Sequence, residues 1–225
     1  MHKDLARARK DSGMEGWMAR WYARTRRNDM LDFENEADKV AARLRPGAEV
    51  LEVAPGPGWF SIELAKRGRF RVTGLDISHT FVEMAQASAE EAAVKVRFRQ
   101  GNAADLPFAD GSFDFVYCSA AFKNFADPVG ALNEMFRVLR PGGEALIADL
   151  RRDVLVAEID DYVRRSGRTA FDAWITKQVF RHTLINRAYT ADEFHHMAAI
   201  SRFGDCEVKP DLIALDVTLK KSRLV

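Results

Sequence analysis

Leu51-Glu52-Val53-Ala54-Pro55-Gly56-Pro57-Gly58 is the stretch on which the fold turns. Glu49 to Val53 reads as a short buried strand, the prolines and glycines as a tight loop, and Trp59 to Lys66 as a helix that stops at Gly68. The same alternation continues downstream. Strands are expected at Phe70–Leu75, Val96–Gln100, Phe113–Cys118 and Glu144–Leu150. Between them, Ser78 caps a helix to about Ala92, and Asp127-Pro128 opens another that Pro141-Gly142-Gly143 stops. Strand and helix in alternation specify an α/β, doubly wound, mostly parallel sheet with both faces covered.

Outside this core the pattern changes. Leu5 to Asn28 is helix-compatible and basic, with Met14, Trp17, Met18, Trp21 and Tyr22 at three- and four-residue intervals, and Asp32 to Leu44 is a second helix. Thr190-Ala191-Asp192-Glu193 has capping-box spacing and opens a helix to about Arg202. Cys206–Lys209 and Leu212–Leu219 then form an antiparallel hairpin turning at Pro210-Asp211. Asp153 to Tyr189 is the stretch hardest to assign. The expected organisation is one domain over 1–225: a helical cover (1–45), a ligand-binding core (48–150), and an insertion plus hairpin (151–225).

Composition excludes several classes. The 225 residues are 47% hydrophobic, and Lys plus Arg (34) nearly balance Asp plus Glu (33), so no global field favours nucleic acid. Cys118 and Cys206 match no disulfide framework or metal-ligand spacing, so no metal is expected and a cytoplasmic setting fits. No apolar run reaches membrane-spanning length.

Ligands of such sheets bind beyond the carboxyl ends of the strands, at the switch point beside the first strand. Three stretches converge there: the Glu52–Gly58 loop, Asp76 at the end of the second strand, and Gly101-Asn102-Ala103 after the third. A carboxylate at Asp76 suits the two hydroxyls of an adenosine ribose, and Asn102 suits an adenine edge. A dinucleotide fingerprint would need glycine at Ser61 and would set Glu52 beside a pyrophosphate. A sulfonium ligand bearing an ammonium group meets no such objection.

These residues resemble the class I S-adenosylmethionine-dependent methyltransferases, particularly the ubiquinone and menaquinone biosynthesis C-methyltransferase group. The similarity covers roughly Val50 to Leu150. It rests on Leu51–Gly58, Gly74-Leu75-Asp76-Ile77-Ser78, Gly101–Phe108, Asp110–Asp114, Ala121–Asn124 and Glu134–Gly143, in that order. The resemblance implies a Rossmann-like sheet of seven strands ending in the C-terminal hairpin. It also implies S-adenosyl-L-methionine as cofactor, with contacts at Glu52, Gly56, Gly58, Asp76 and Asn102; Tyr22, Ala54, Pro55, Ile77, Ala103 and Ser119 are further expected contacts. Ala54 stands where the family has its first glycine, which a negative backbone angle would tolerate.

The expected partner is a small-molecule acceptor attacking through O, N or an activated C. An RNA acceptor, or a non-catalytic cofactor-binding scaffold, is the alternative. Trp17 and Trp21 are read as a lid over the acceptor, and Phe122, Asn124 and Phe180 as pocket residues. Candidates for a catalytic role are His182, Asp149 and Lys123, with Asp149 paired otherwise to Arg151 or Arg152.

Overall fold

The computed structural model describes residues 13–26, 30–165 and 184–223. Its helices are α1 (Gly16–Arg26), α2 (Met30–Ala41), α3 (Trp59–Lys66), α4 (His79–Glu91), α5 (Pro128–Val138), α6 (Val156–Arg165) and α7 (Ala191–Ile200). The strands are β1 (Glu49–Val53), β2 (Arg71–Asp76), β3 (Val96–Gln100), β4 (Phe113–Ser119), β5 (Leu139–Leu150), β6 (Glu207–Asp211) and β7 (Ala214–Lys220).

They form one seven-stranded sheet in the order β3-β2-β1-β4-β5-β7-β6. β1 to β5 run parallel, whereas β7 lies antiparallel to β5 and β6 to β7. The strand order reverses between β1 and β4, and the chain therefore opens a crevice at the carboxyl end of β1.

Alternation along the strands assigns the two faces. Val50, Phe115, Tyr117 and Leu146 pack with α2 and α3 through Ala37, Val40, Phe60 and Leu64. Leu51, Val53, Val116, Cys118 and Ile147 point the other way, onto Leu132 and Met135 of α5 and Phe194 and Met197 of α7. Both faces are apolar because both are covered.

Local capping follows the sequence closely. Ser78 accepts the N–H of Phe81 at the start of α4, Asp127 accepts that of Gly130 at the start of α5, and Thr190 with Glu193 forms a complete capping box on α7.

Three boundaries differ. α5 ends at Val138, and Pro141-Gly142-Gly143 lies within β5, where the register against β4 jumps from Phe113↔Leu139 to Phe115↔Glu144. Gly142 (φ 80°) turns the bulge, which bonds to Lys221 beyond β7. The hairpin turns at Leu212-Ile213, with Pro210 and Asp211 paired to Leu215 and Ala214, because β6 is an edge strand where a missing N–H is tolerated. α1 starts at Gly16, and the part of the expected helix before residue 13 lies outside the described residues. Among the described residues no helix is long and apolar enough to cross a membrane.

Candidate functional site

The carboxyl ends of β1, β2 and β3 border a cleft lined by Val53, Ala54, Leu75, Ile77, Gly101, Asn102, Ala103 and Phe125. The loop after β1, which lines the cleft through Ala54, passes through three left-handed residues: Ala54 (φ 58°), Gly56 (φ 55°) and Gly58 (φ 82°). Ala54 thus corrects the expectation of a negative angle; its N–H donates to the Leu75 carbonyl, and that bond holds the strained conformation. A Cβ on Gly56 would meet nothing within 4 Å, so glycine there serves the backbone angle rather than packing. Gly58 has another role. A Cβ there would stand 2.7 Å from Phe98 Cζ and 2.8 Å from Ala85 Cβ, so this glycine lets α4 and β3 close on the loop.

Two acids flank the loop. Glu52 is 4% exposed, and its Oε2 accepts the Ser61 hydroxyl at 2.5 Å. Burial pushes its pKa up to about 8, against the lowering effect of Ser61, and the nearby Asp76 charge adds to the rise. Asp76, 5% exposed, accepts Gly56 N–H on Oδ2 and Ser78 N–H on Oδ1, both at 2.9 Å. Its pKa is also raised by burial, opposed by those two N–H groups. Asp76 therefore ties the β1 loop to the β2–α4 turn, and a carboxylate's remaining lone pairs can still accept two hydroxyls.

At the far side, Asn102 Oδ1 accepts the Ala104 N–H at 2.9 Å, which sets the turn that carries Asn102 and Ala103. Ile77 is half-buried at the cleft wall. Pro55 approaches Gly74, where an added Cβ would come within 3.1 Å of its ring. Phe125 also lines the cleft, and only its position three residues after Phe122 and beyond β4 hints at this in the sequence.

Residues 13–16 lie against the β2–α4 turn, where a Cβ on Gly13 would come within 3.2 Å of Ile77 of the cleft wall. The Glu15 carboxylate accepts the N–H groups of His79 (2.9 Å) and Thr80 (3.0 Å) and the Thr80 hydroxyl (2.5 Å). It thereby fills the orphan donors at the N-terminus of α4, and the Thr80 hydroxyl is the chief reason its pKa is lowered. Gly16 N donates to Thr80 Oγ1, and Ser78 Oγ donates to the Met14 carbonyl. No sequence pattern announces this latch, since its two halves are more than 60 residues apart.

α1 then packs through Ala19, Ala23 and Tyr22, whose ring meets Phe81 edge-on at 5.9 Å. Trp17 and Trp21 face outward, 75% and 59% exposed. They do not reach the cleft, and the small alanines take the face expected of the large aromatics.

The acceptor-side residues divide. Ser119 is half-buried at the end of β4, and Asn124 is exposed with Oδ1 3.5 Å from the Arg187 guanidinium. Phe122 is core rather than pocket: it has 0% exposure and packs among Phe125, Tyr189 and Phe194. Asp149 pairs with Lys123 (2.8 Å), not with Arg151, which binds Glu158, or Arg152, which binds Glu193. Asp149 also accepts Lys123 N–H and Leu150 N–H, and Lys123 Nζ donates to the Ala120 carbonyl. This pair clamps the turn after β4 to the end of β5. His182 and Phe180 lie outside the described residues. Among the described residues no three His, Cys, Asp or Glu gather as a metal site.

Comparison with known proteins agrees with this layout. Residues 51–147 match the Methyltransf_11 methyltransferase domain family. A demethylmenaquinone methyltransferase of Deinococcus radiodurans is 41% identical over 101 residues, 44% of this chain and 42% of that protein. The O-methyltransferase rstn1 of Aspergillus nomiae is 38% identical over 133 residues, 56% of this chain and 59% of that protein. The chain thus covers about half the length of the curated relatives it matches. A crystal structure of a SAM-dependent methyltransferase from Aquifex aeolicus superposes with a TM-score of 0.63 at 18% identity, over 82% of this chain and 89% of that one, a likeness of fold. Residues 51–147, which hold the glycine loop, the acids Glu52 and Asp76 and the strand ends at the switch-point cleft, are thus similar along their length to a methyltransferase domain.

Proposed function

We propose that the chain transfers a methyl group from S-adenosyl-L-methionine to a small-molecule acceptor. The observation that carries this reading is the pair of buried acids, Glu52 and Asp76, that flank a glycine turn at the ends of β1 and β2, where their chain neighbours Val53, Ala54, Leu75 and Ile77 line a largely apolar cleft. Asp76 would hold the ribose hydroxyls, and Ile77, Asn102 and Ala103 the adenine. Gly56 would lie under the amino-acid portion, and Glu52 would offset the charge of its ammonium group. Tyr22, beside Phe81, would close the cleft edge under the Glu15 latch.

When bound, the cofactor supplies a methyl group on a sulfonium, open to in-line displacement by O, N or an activated C. The protein's part is alignment and exclusion of water. Such positioning contributes on the order of 7–11 kcal/mol to rate. Lys123 and Asp149 neutralise each other, so their contribution is to fix the loops after β4 and β5, near Ser119 and Asn124, rather than to remove a proton. Relatives named for demethylmenaquinone and for O-methyl transfer support a carbon or oxygen acceptor.

The test is incubation with methyl-labelled S-adenosylmethionine and panels of reduced quinones, phenols and amines. Stoichiometric S-adenosylhomocysteine and labelled product is the expected result. Cofactor binding without acceptor-dependent turnover across those panels would favour a binding role instead.

A further inference from the structure

We propose that the outward face of α1 docks on the surface of an anionic lipid bilayer. On a helix at 100° per residue, Ala19, Tyr22 and Ala23 cluster on the face that packs on the protein, while Trp17, Met18 and Trp21 cluster opposite. Those three are 75%, 46% and 59% exposed, an apolar patch that burial in the fold does not explain. Arg20 and Arg24, both exposed, flank the tryptophans along one side.

Tryptophan and methionine over a row of arginines is the arrangement of a helix lying in a lipid interface: rings enter the headgroup boundary while guanidinium groups meet phosphate. Charge is distributed to match. The α1 sequence, Gly16–Arg26, holds three Arg and no Asp or Glu, whereas the whole chain is only +1, so the remainder is net acidic. An anionic surface would therefore attract this end and repel the rest, orienting the molecule. Glu15 pins the start of α1 to α4, so the face stays outward while the opposite face stays packed.

Two other occupants fit less well. A second copy would bring Arg20 and Arg24 against their own like charges. A nucleic acid needs a basic groove to follow, and here the rings stand on a convex helix above an acidic body.

The experiment is sedimentation of the full chain with phosphatidylcholine vesicles, with and without phosphatidylglycerol, across a salt series. Binding to the anionic vesicles alone, weakened by salt, is expected. Trp17→Ala/Trp21→Ala and Arg20→Glu/Arg24→Glu should each lower it roughly tenfold or more, with unchanged circular dichroism and thermal melting. Lack of sedimentation with anionic vesicles at low salt would overturn the proposal. So would Trp-dependent binding of poly-uridylate, or Trp-dependent dimerisation, in a protein that ignores vesicles.

Discussion

Ser61 stands where a dinucleotide-binding loop has its third glycine, and its hydroxyl donates to the carboxylate of Glu52 at 2.5 Å. The residue that breaks one fingerprint thus completes another: it is the hydrogen-bond partner that makes a buried acid tolerable.

Stability should carry the signature of Glu52. Its folded pKa, about 8, exceeds the ordinary value of 4.5, so between those values the folded chain holds a proton that the unfolded chain has lost. Its contribution is full below pH 4.5 and lost as pH rises through 8. Melting of the wild type relative to Glu52→Gln should therefore fall across that window. A difference independent of pH would show that Glu52 is ionised throughout.

Cofactor binding should run the other way. A ligand ammonium group beside Glu52 favours its ionised form, so S-adenosylhomocysteine should bind with release of up to about one proton near neutral pH. Affinity should rise with pH and level off above 8. Calorimetry in buffers of different ionisation enthalpy measures this, and no proton release would separate Glu52 from the ligand's charge.

Ala54→Gly should stabilise the fold by roughly 1 kcal/mol, since it removes a left-handed alanine. Gly58→Val should damage the fold itself by driving a branched side chain into Phe98 and Ala85. Thermal melts of both variants suffice; a stabilised Gly58→Val would contradict the packing.

The Lys123–Asp149 pair predicts a coupled result. Lys123→Met alone leaves a buried carboxylate and should cost about 3–5 kcal/mol, and Asp149→Leu alone likewise. The double variant should recover much of that loss. Additive losses in denaturant titrations would mean that the two groups do not interact.

Sequence alternation was enough to place the sheet and its site, because each strand in a parallel sheet is buried on both faces and each helix carries its own cap: Ser78, Asp127 and Thr190 stand where their types require. Reading failed where distant contacts decide. Periodicity on α1 shows an aromatic stripe but not its direction, and it was Glu15 meeting Thr80 that set the helix down on its alanine side. Phe122 and Phe125 look alike in the chain, yet one is core and the other lines the cleft. The partner of Asp149 was hidden for the same reason, since Lys123 lies 26 residues away, on a neighbouring strand's loop. Ala54 departs from expectation because a residue's identity does not reveal its backbone angle.

Calorimetric titration with S-adenosylhomocysteine, set beside NAD, tests the central claim most directly. The wild type should show one site per chain with no comparable affinity for NAD. Asp76→Ala, still folded by circular dichroism, should bind about tenfold or more weakly, since hydrogen bonds to a charged group contribute roughly 1.5–3 kcal/mol each. Tight NAD binding, or S-adenosylhomocysteine affinity untouched by Asp76→Ala, would contradict the assignment of this cleft.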